Sequence, residues 1–286
     1  MEGSKRPSRH VLTDVEAQAI AEDLRHGRRD RIEDVRFPQL FQVQVGTLRG
    51  VSFTNAQLWL TVGGGMFRGG LMEDCRFVDV DLDPLTVYKS DIRSNTFERV
   101  TFGVRAMGGM DNTVIDGGSF HDCRFNDYGF RRTTLNGVTV EGGRMDRVRF
   151  EACTFVDTRL ASALRDVTLA DGRFDRADIS ASDVVDVTFD EWRSADLRLP
   201  DRRTGFFVTP AGASTALGTV LDDLTIPFRD RFFADVITAG YDLVAVSERF
   251  FMSALGAQPT EASVLIDALF PYRLDALGAA PGEGQR

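Results

Sequence analysis

At 286 residues and a net charge of −9, the chain has room for one large domain or two modest ones. The acidic balance argues against a general binder of nucleic acid or anionic membrane, and no run of about 18 apolar residues exists that would cross a bilayer. The opening MEGSKRPSRH also lacks the apolar segment of a signal peptide, so the expectation is a soluble, cytoplasmic protein.

Residues 1–10 read as disordered. From Thr13 the run TDVEAQAIAEDLRHG predicts a helix: Thr13 caps it, Glu16 completes a capping box three positions on, and Gly27 ends it. Val15, Ala19, Ile20 and Leu24 form its expected apolar face. Two roles stay open, a lid over whatever follows or a partner-binding helix. The basic run from Arg25 to Arg31 reads as a solvated helix end.

From Val43 to Phe189 an apolar residue returns every fifth position. The series runs Val43, Leu48, Phe53, Leu58, then Val62 to Met107, Met110 to Leu160 and Leu164 to Phe189, with register slips expected near Thr61, Gly108–Gly109 and Ala161–Ala163. All 31 centres are apolar, where a composition of 43% hydrophobic would give about 13 by chance. Five is neither the helix period nor the strand period. Each unit must therefore turn one corner and send one large side chain inward. Two residues before most centres the side chain is small, as at Ala56, Cys75, Ser90, Cys123, Gly118 and Cys153; Phe41, Leu60, Leu85, Arg105 and Tyr128 are the exceptions. Alternating large and small inward residues fill a narrow coil. The three cysteines all occupy small inward positions and read as buried thiols rather than metal or redox groups.

This pattern resembles the pentapeptide-repeat proteins, whose unit runs small residue, Asp or Asn, Leu or Phe, then two free positions. The resemblance implies a mainly β fold: a right-handed quadrilateral parallel β-helix, four units per coil, over residues 37–197. Residues 1–36 would supply a disordered terminus and capping helix, 198–214 a linker, and 215–286 an α-helical cap or dimerisation segment with a tail. Taking every fourth centre groups Leu58, Phe77, Phe97, Ile115, Leu135, Phe155 and Phe174 into one column. A second column is Phe53, Met72, Ile92, Met110, Phe130, Phe150, Leu169 and Phe189. Asp79, Glu98, Asp116, Asn136, Asp157 and Asp175 would then form an acidic ladder on one face, interrupted by Arg76, Arg99, Arg173 and Arg176.

After Glu191 the five-residue rhythm fails. Residues 198–204 read as a linker and 205–214 as irregular or short extended chain. TALGTVLDDL predicts a helix. The long run from Pro227 to Gly256 predicts helix as well, with Phe228, Phe232, Val236, Leu243, Val246, Phe250 and Leu255 near helical spacing. A third helix begins at Pro259 and Thr260. These faces carry more apolar bulk than one coil end covers, so Phe232, Phe233, Phe250 and Phe251 are expected at a two-fold homodimer interface.

Catalytic chemistry is poorly provided for. There are three histidines in all, too few for a Ser-His-Asp triad or a multi-His metal site, and no pair of carboxylates is marked out. The reading is a non-enzyme with no cofactor. Some pentapeptide-repeat proteins protect DNA gyrase, a type II topoisomerase, from inhibitors, an antibiotic-resistance role attributed to mimicry of B-DNA. The resemblance therefore implies a DNA-mimic modulator of that enzyme, with a scaffold docking some other protein as the alternative.

Overall fold

The computed structural model describes residues 8–64, 69–103, 108–194, 196–274 and 276–277. The chain forms two compact units, Met1–Arg144 and Met145–Arg286. The coiled part of each is a parallel β-helix of short strands that turn a corner every five residues. All 29 centres that lie in described residues are buried. Phe67 and Met107 fall outside them.

In the first unit, four columns of inward residues stack in register. One is Phe53, Phe77, Phe97, Phe120, Val140. The next is Leu48, Met72, Ile92, Ile115, Leu135. Leu58, Leu82, Phe102 and Phe125 make the third, and Val45, Val62, Val87, Met110 and Phe130 the fourth. The aromatic rings lie face to face, with centroids 4.7, 4.9 and 4.6 Å apart along Phe53–Phe77–Phe97–Phe120 and 4.4 Å apart for Phe102–Phe125. That is the hydrogen-bonding spacing between strands. Ring stacking and backbone pairing therefore set one common repeat.

These columns correct the expected ones. Leu48 pairs with Met72, 24 residues on, and Val87 with Met110, 23 on, whereas Ile92 follows Met72 by 20. Two coils thus carry three or four additional residues, within 63–69 and 103–107. Counting Phe67 and Met107 as centres advances the count by one face each time. The first coil is also displaced: Val45, not Val43, stacks beneath Val62, and Val43 takes the small-residue position. Of the three slips, the first is a bulge between Leu82 and Leu85, opposite Leu58 and Leu60. The third is a shortened face, since Arg159 pairs 19 residues on but Ala163 pairs 20 on.

The corners share one conformation. Among the described residues, twenty non-glycine residues have positive φ, and all but Leu40 lie two positions after an inward centre, as do Asp79, Ser94, Arg99 and Asp122. At many of these corners the N–H turns along the coil axis. Asp79 donates to the Glu98 carbonyl at 3.0 Å, Ser94 to that of Asp116 at 3.0 Å, and Arg99 to that of His121 at 2.8 Å. Asp and Asn tolerate this left-handed geometry best after Gly.

Three of the bulky exceptions at the small position, Leu60, Leu85 and Tyr128, share a column, and Arg105 lies outside the described residues. Leu60 pairs with Leu85, and Gly108 pairs with Tyr128. Tyr128 is fully buried and its hydroxyl donates to the Leu85 carbonyl at 3.0 Å. Gly108 makes room for it: a Cβ there would lie 2.6 Å from the Tyr128 ring. The other small positions do lighter work. Asn95 accepts from the Cys75 N–H and donates to the Met72 carbonyl, both at 2.8 Å.

At the amino end, Arg9 and His10 are ordered, contrary to expectation. His10–Val11 pairs with Val35–Arg36, and the Arg9 guanidinium reaches Asn55, the Asp79 carbonyl and Asp81. Helix α1 (Asp14–Arg25) carries the expected Thr13–Glu16 capping box. Its buried face is Ala17, Ile20, Ala21 and Leu24, so Val15 and Ala19 point outward instead.

In the second unit Phe155 stacks on Phe174 at 4.9 Å, and Leu164 and Leu169 pair with Val184 and Phe189. Within the expected linker, Asp201–Arg202 and Gly205–Val208 are strands and a helix begins at Pro210, and part of the expected helical run is a strand. Leu243–Val246 pairs antiparallel with Thr188–Phe189 and with Gly205–Val208. That antiparallel strand pair closes the exposed coil edge, which would otherwise present unpaired backbone. Helices α2 (Pro210–Thr219), α3 (Ile226–Phe232), α4 (Glu248–Ser253) and α5 (Pro259–Leu269) pack around a shared apolar core with it.

Phe97 lies between two stacked rings, and fixed coils cannot collapse into a hole there. Phe97→Ala should cost about 3–5 kcal/mol in urea unfolding; a loss below about 1 kcal/mol would contradict the stacked core. Tyr128→Phe should cost about 1 kcal/mol by the same measurement, through its lost buried hydrogen bond.

Candidate functional site

The outward side chains follow the same columns, so each face of the first unit displays ladders at coil spacing. On the Phe77–Phe97 face, the residue after the centre runs Thr54, Val78, Glu98, His121, Glu141. On the Met72–Ile92 face it runs Arg49, Glu73, Arg93, Asp116, Asn136. The second ladder alternates in sign along its charged members, and Arg49 pairs with Glu73 at 3.0 Å.

The expected acidic ladder is therefore not one ladder. Asp79 and Glu98 belong to the Phe77–Phe97 face and its corner, while Asp116 stands on the Ile92–Ile115 face. The missing step is the inserted residues, which sequence spacing counts as a coil position. Nor are these carboxylates bare. Arg99, the corner residue stacked over Asp79, grips both its oxygens at 2.9 Å and also engages Glu98. Asp116 accepts from the Asn136 amide at 2.7 Å. In the second unit, Arg176 binds Asp157 at 2.6 and 2.9 Å and Asp175 at 2.8 Å.

The pairings shift the titrations. The Asp79 carboxylate, then Glu98, holds the Arg99 guanidinium charged beyond its ordinary range; Asp157 does the same for Arg176. Hydrogen bonding from Arg99 holds Glu98 below the usual carboxylate range, and Arg176 does so for Asp157. The arginines and Asp157 are exposed and Asp79 and Glu98 only half-buried, so the pairs contribute little stability. Their consequence is to cancel charge locally. Sequence spacing does not show one further pair, Arg132 on Asp111 at 2.7 and 2.8 Å, although a corner Arg about one coil above an acid is the signal that marks it.

The expected dimer residues are mostly spent within the chain. Phe232, Phe250 and Phe251 are buried in the core of the C-terminal helices with Phe228 and Leu265. Two of these rings meet edge to face, Phe232 and Phe251 at 5.8 Å. Phe233 alone of the four is exposed, at 50%. Two adjacent residues on a helix point about 100° apart, and at Phe232–Phe233 only the first meets the core.

Among the described residues no cluster of His, Cys, Asp and Glu has the makings of a metal site, and no helix is long and apolar enough to cross a membrane. The buried thiols lack nucleophile chemistry: burial pushes Cys75 up to about 11 and Cys123 to about 12, far from thiolate at neutral pH.

No family model matches the chain, and no curated protein does. Among solved structures it is similar to QnrB1, a plasmid-mediated fluoroquinolone resistance protein, at 14% identity over 57% of this chain and 83% of that one, with a TM-score of 0.27. It is similar also to HetL, a pentapeptide repeat protein involved in heterocyst differentiation regulation from the cyanobacterium Nostoc. There the identity is 10% over 62% of this chain and 97% of that one, with a TM-score of 0.17.

One carboxylate is held against its preference. Burial, then repulsion from Asp166 and Asp235, raises the Asp186 pKa. A raised carboxylate pKa destabilises the fold above that pKa and ceases to matter as pH falls through it. Asp186→Asn should therefore raise the thermal midpoint at pH 7, with the gain fading toward acid. A midpoint lowered at pH 7 would contradict this.

Proposed function

We propose that the chain is a non-enzymatic binding protein that docks a protein partner against the coil faces of residues 45–141. The observation that carries this reading is the pair of in-register ladders, Arg49–Glu73–Arg93–Asp116 and Glu98–His121–Glu141. They present fixed polar groups of both signs at strand spacing on a rigid surface. A surface of alternating sign selects a partner by complementary charge placement rather than by attraction at long range.

The sharper reading is a DNA-mimic protector of DNA gyrase, and the net charge of −9 favours it. B-DNA carries about one charge per 1.7 Å of axis, whereas the Arg99 and Arg176 pairings leave few bare carboxylates beside them to match it. The geometry therefore favours the general scaffold over the mimic. A homodimer through the C-terminal helices would have to use Phe233, Ile226 and Met252, which are exposed.

A gyrase supercoiling assay with a quinolone, titrated with the purified chain, separates the two readings. The scaffold reading predicts no restoration of supercoiling. It also predicts that a partner cross-linked to residues on these ladders in cells is lost on charge reversal of Arg93 and Glu98. Restored supercoiling would establish the protector reading instead, and a cross-linked partner indifferent to both reversals would remove the coil faces as the binding surface.

A further inference from the structure

One surface of the first unit is built differently from the coil faces. Helix α1 turns Val15, Gln18, Ala19 and Glu22 outward, a stripe at the i, i+3, i+4, i+7 spacing of a single helix face, while its opposite side is buried. Facing that stripe is the turn Pro38–Phe41, closed by the Phe41 N–H donating to the Pro38 carbonyl at 3.1 Å. Together they line a groove of about 830 Å³ made by Asp14, Val15, Gln18, Ala19, Glu22, Gln39, Leu40 and Phe41.

Two features set the groove apart from ordinary surface. Val15 is 80% and Leu40 81% exposed. Leu40 also has φ of 72°, and among the described residues it is the one non-glycine residue of that kind outside the coil corners. A left-handed backbone is unfavourable for a residue that carries a β-carbon, and glycine or asparagine is the ordinary occupant of this turn position. A large apolar side chain is thus kept in strained backbone only to be pointed at solvent. Strain of this sort is an observation from which function is inferred.

The charges of the lining are of one sign. Asp14 and Glu22 stand at the two ends of the helix wall, eight residues and so about 12 Å apart, and the described lining residues include no Lys or Arg. Glu22 shares its charge with Arg25 and His26, which leaves Asp14 as the stronger pole. We infer that this groove is a docking site for an amphipathic, cationic helical segment of a partner protein. One or two apolar side chains of that segment rest on Val15, Leu40 and Phe41, and a basic residue about two turns from another meets Asp14 and Glu22. The site is separate from the ladders, and its test does not depend on what they bind.

The probe is a fluorescein-labelled designed helical peptide with Leu at i, i+3 and i+4 and Lys at the flanking turns, titrated by anisotropy against the full chain. Its control carries Glu for every Lys. The Lys peptide should bind and the Glu peptide should not. Leu40→Gly should weaken binding about tenfold or more, the loss of one apolar anchor, while leaving the thermal midpoint equal or higher, because glycine adopts that φ without strain. Val15→Ser should weaken binding, and Asp14→Asn should weaken it and flatten its salt dependence. Failure of the Lys peptide to bind, equal binding of both peptides, or unchanged affinity in Leu40→Gly would each overturn the proposal. So would self-association of the chain abolished by Leu40→Gly, which would make the occupant a second copy.

Discussion

Everything in the coiled part of the fold depends on the corner residue two places after each inward centre. At that point the chain enters the left-handed region and swings its N–H onto the carbonyl of the next coil, as Asp79 does to Glu98 and Arg99 to His121. A corner that failed to do so would leave a buried donor unpaired and the next face aimed wrongly. Because the corner is fixed, each face has only five residues, and one large side chain per face must fill the coil. Flat rings at 4.4–4.9 Å then meet the backbone repeat without compromise.

The same constraint explains the departures. A column that holds Leu60, Leu85 and Tyr128 tolerates such bulk because Gly108 gives up its side chain between two of them. Additional residues are absorbed between Val62 and Gly70 and between Phe102 and Gly108, where the pairing of strands on either side resumes with its phase intact. The corners also dictate what the surface presents. Arg99 over Asp79, and Arg176 over Asp157, are corner residues of successive coils, so their charges are brought together by the backbone and cancel.

The inward positions are legible in the sequence because burial in a five-residue face admits only apolar side chains, and every described centre obeys. The columns are not legible, because the longer spacing of two coils, 24 residues from Leu48 to Met72 and 23 from Val87 to Met110, leaves no mark in an apolar five-residue pattern. The acidic ladder inherits that error: Asp116 lies one face away from Glu98. The C-terminal segment is misread for another reason. Leu243 and Val246 fall near helical spacing from Phe228 and Phe232, yet the open coil edge at Thr188–Phe189 recruits them as a strand. Tertiary demand overrides local pattern there. Leu40 was invisible for want of any periodicity, since only its backbone angle and exposure distinguish it.

Corner amides are structural hydrogen bonds rather than solvated turns. Amide hydrogen exchange followed by NMR reads this residue by residue. The account predicts that the N–H groups of Asp74, Asp79, Ser94, Arg99 and Asn112 exchange as slowly as those of their neighbouring centres, in spite of exposed side chains. Fast exchange at these corners beside protected centres would contradict it.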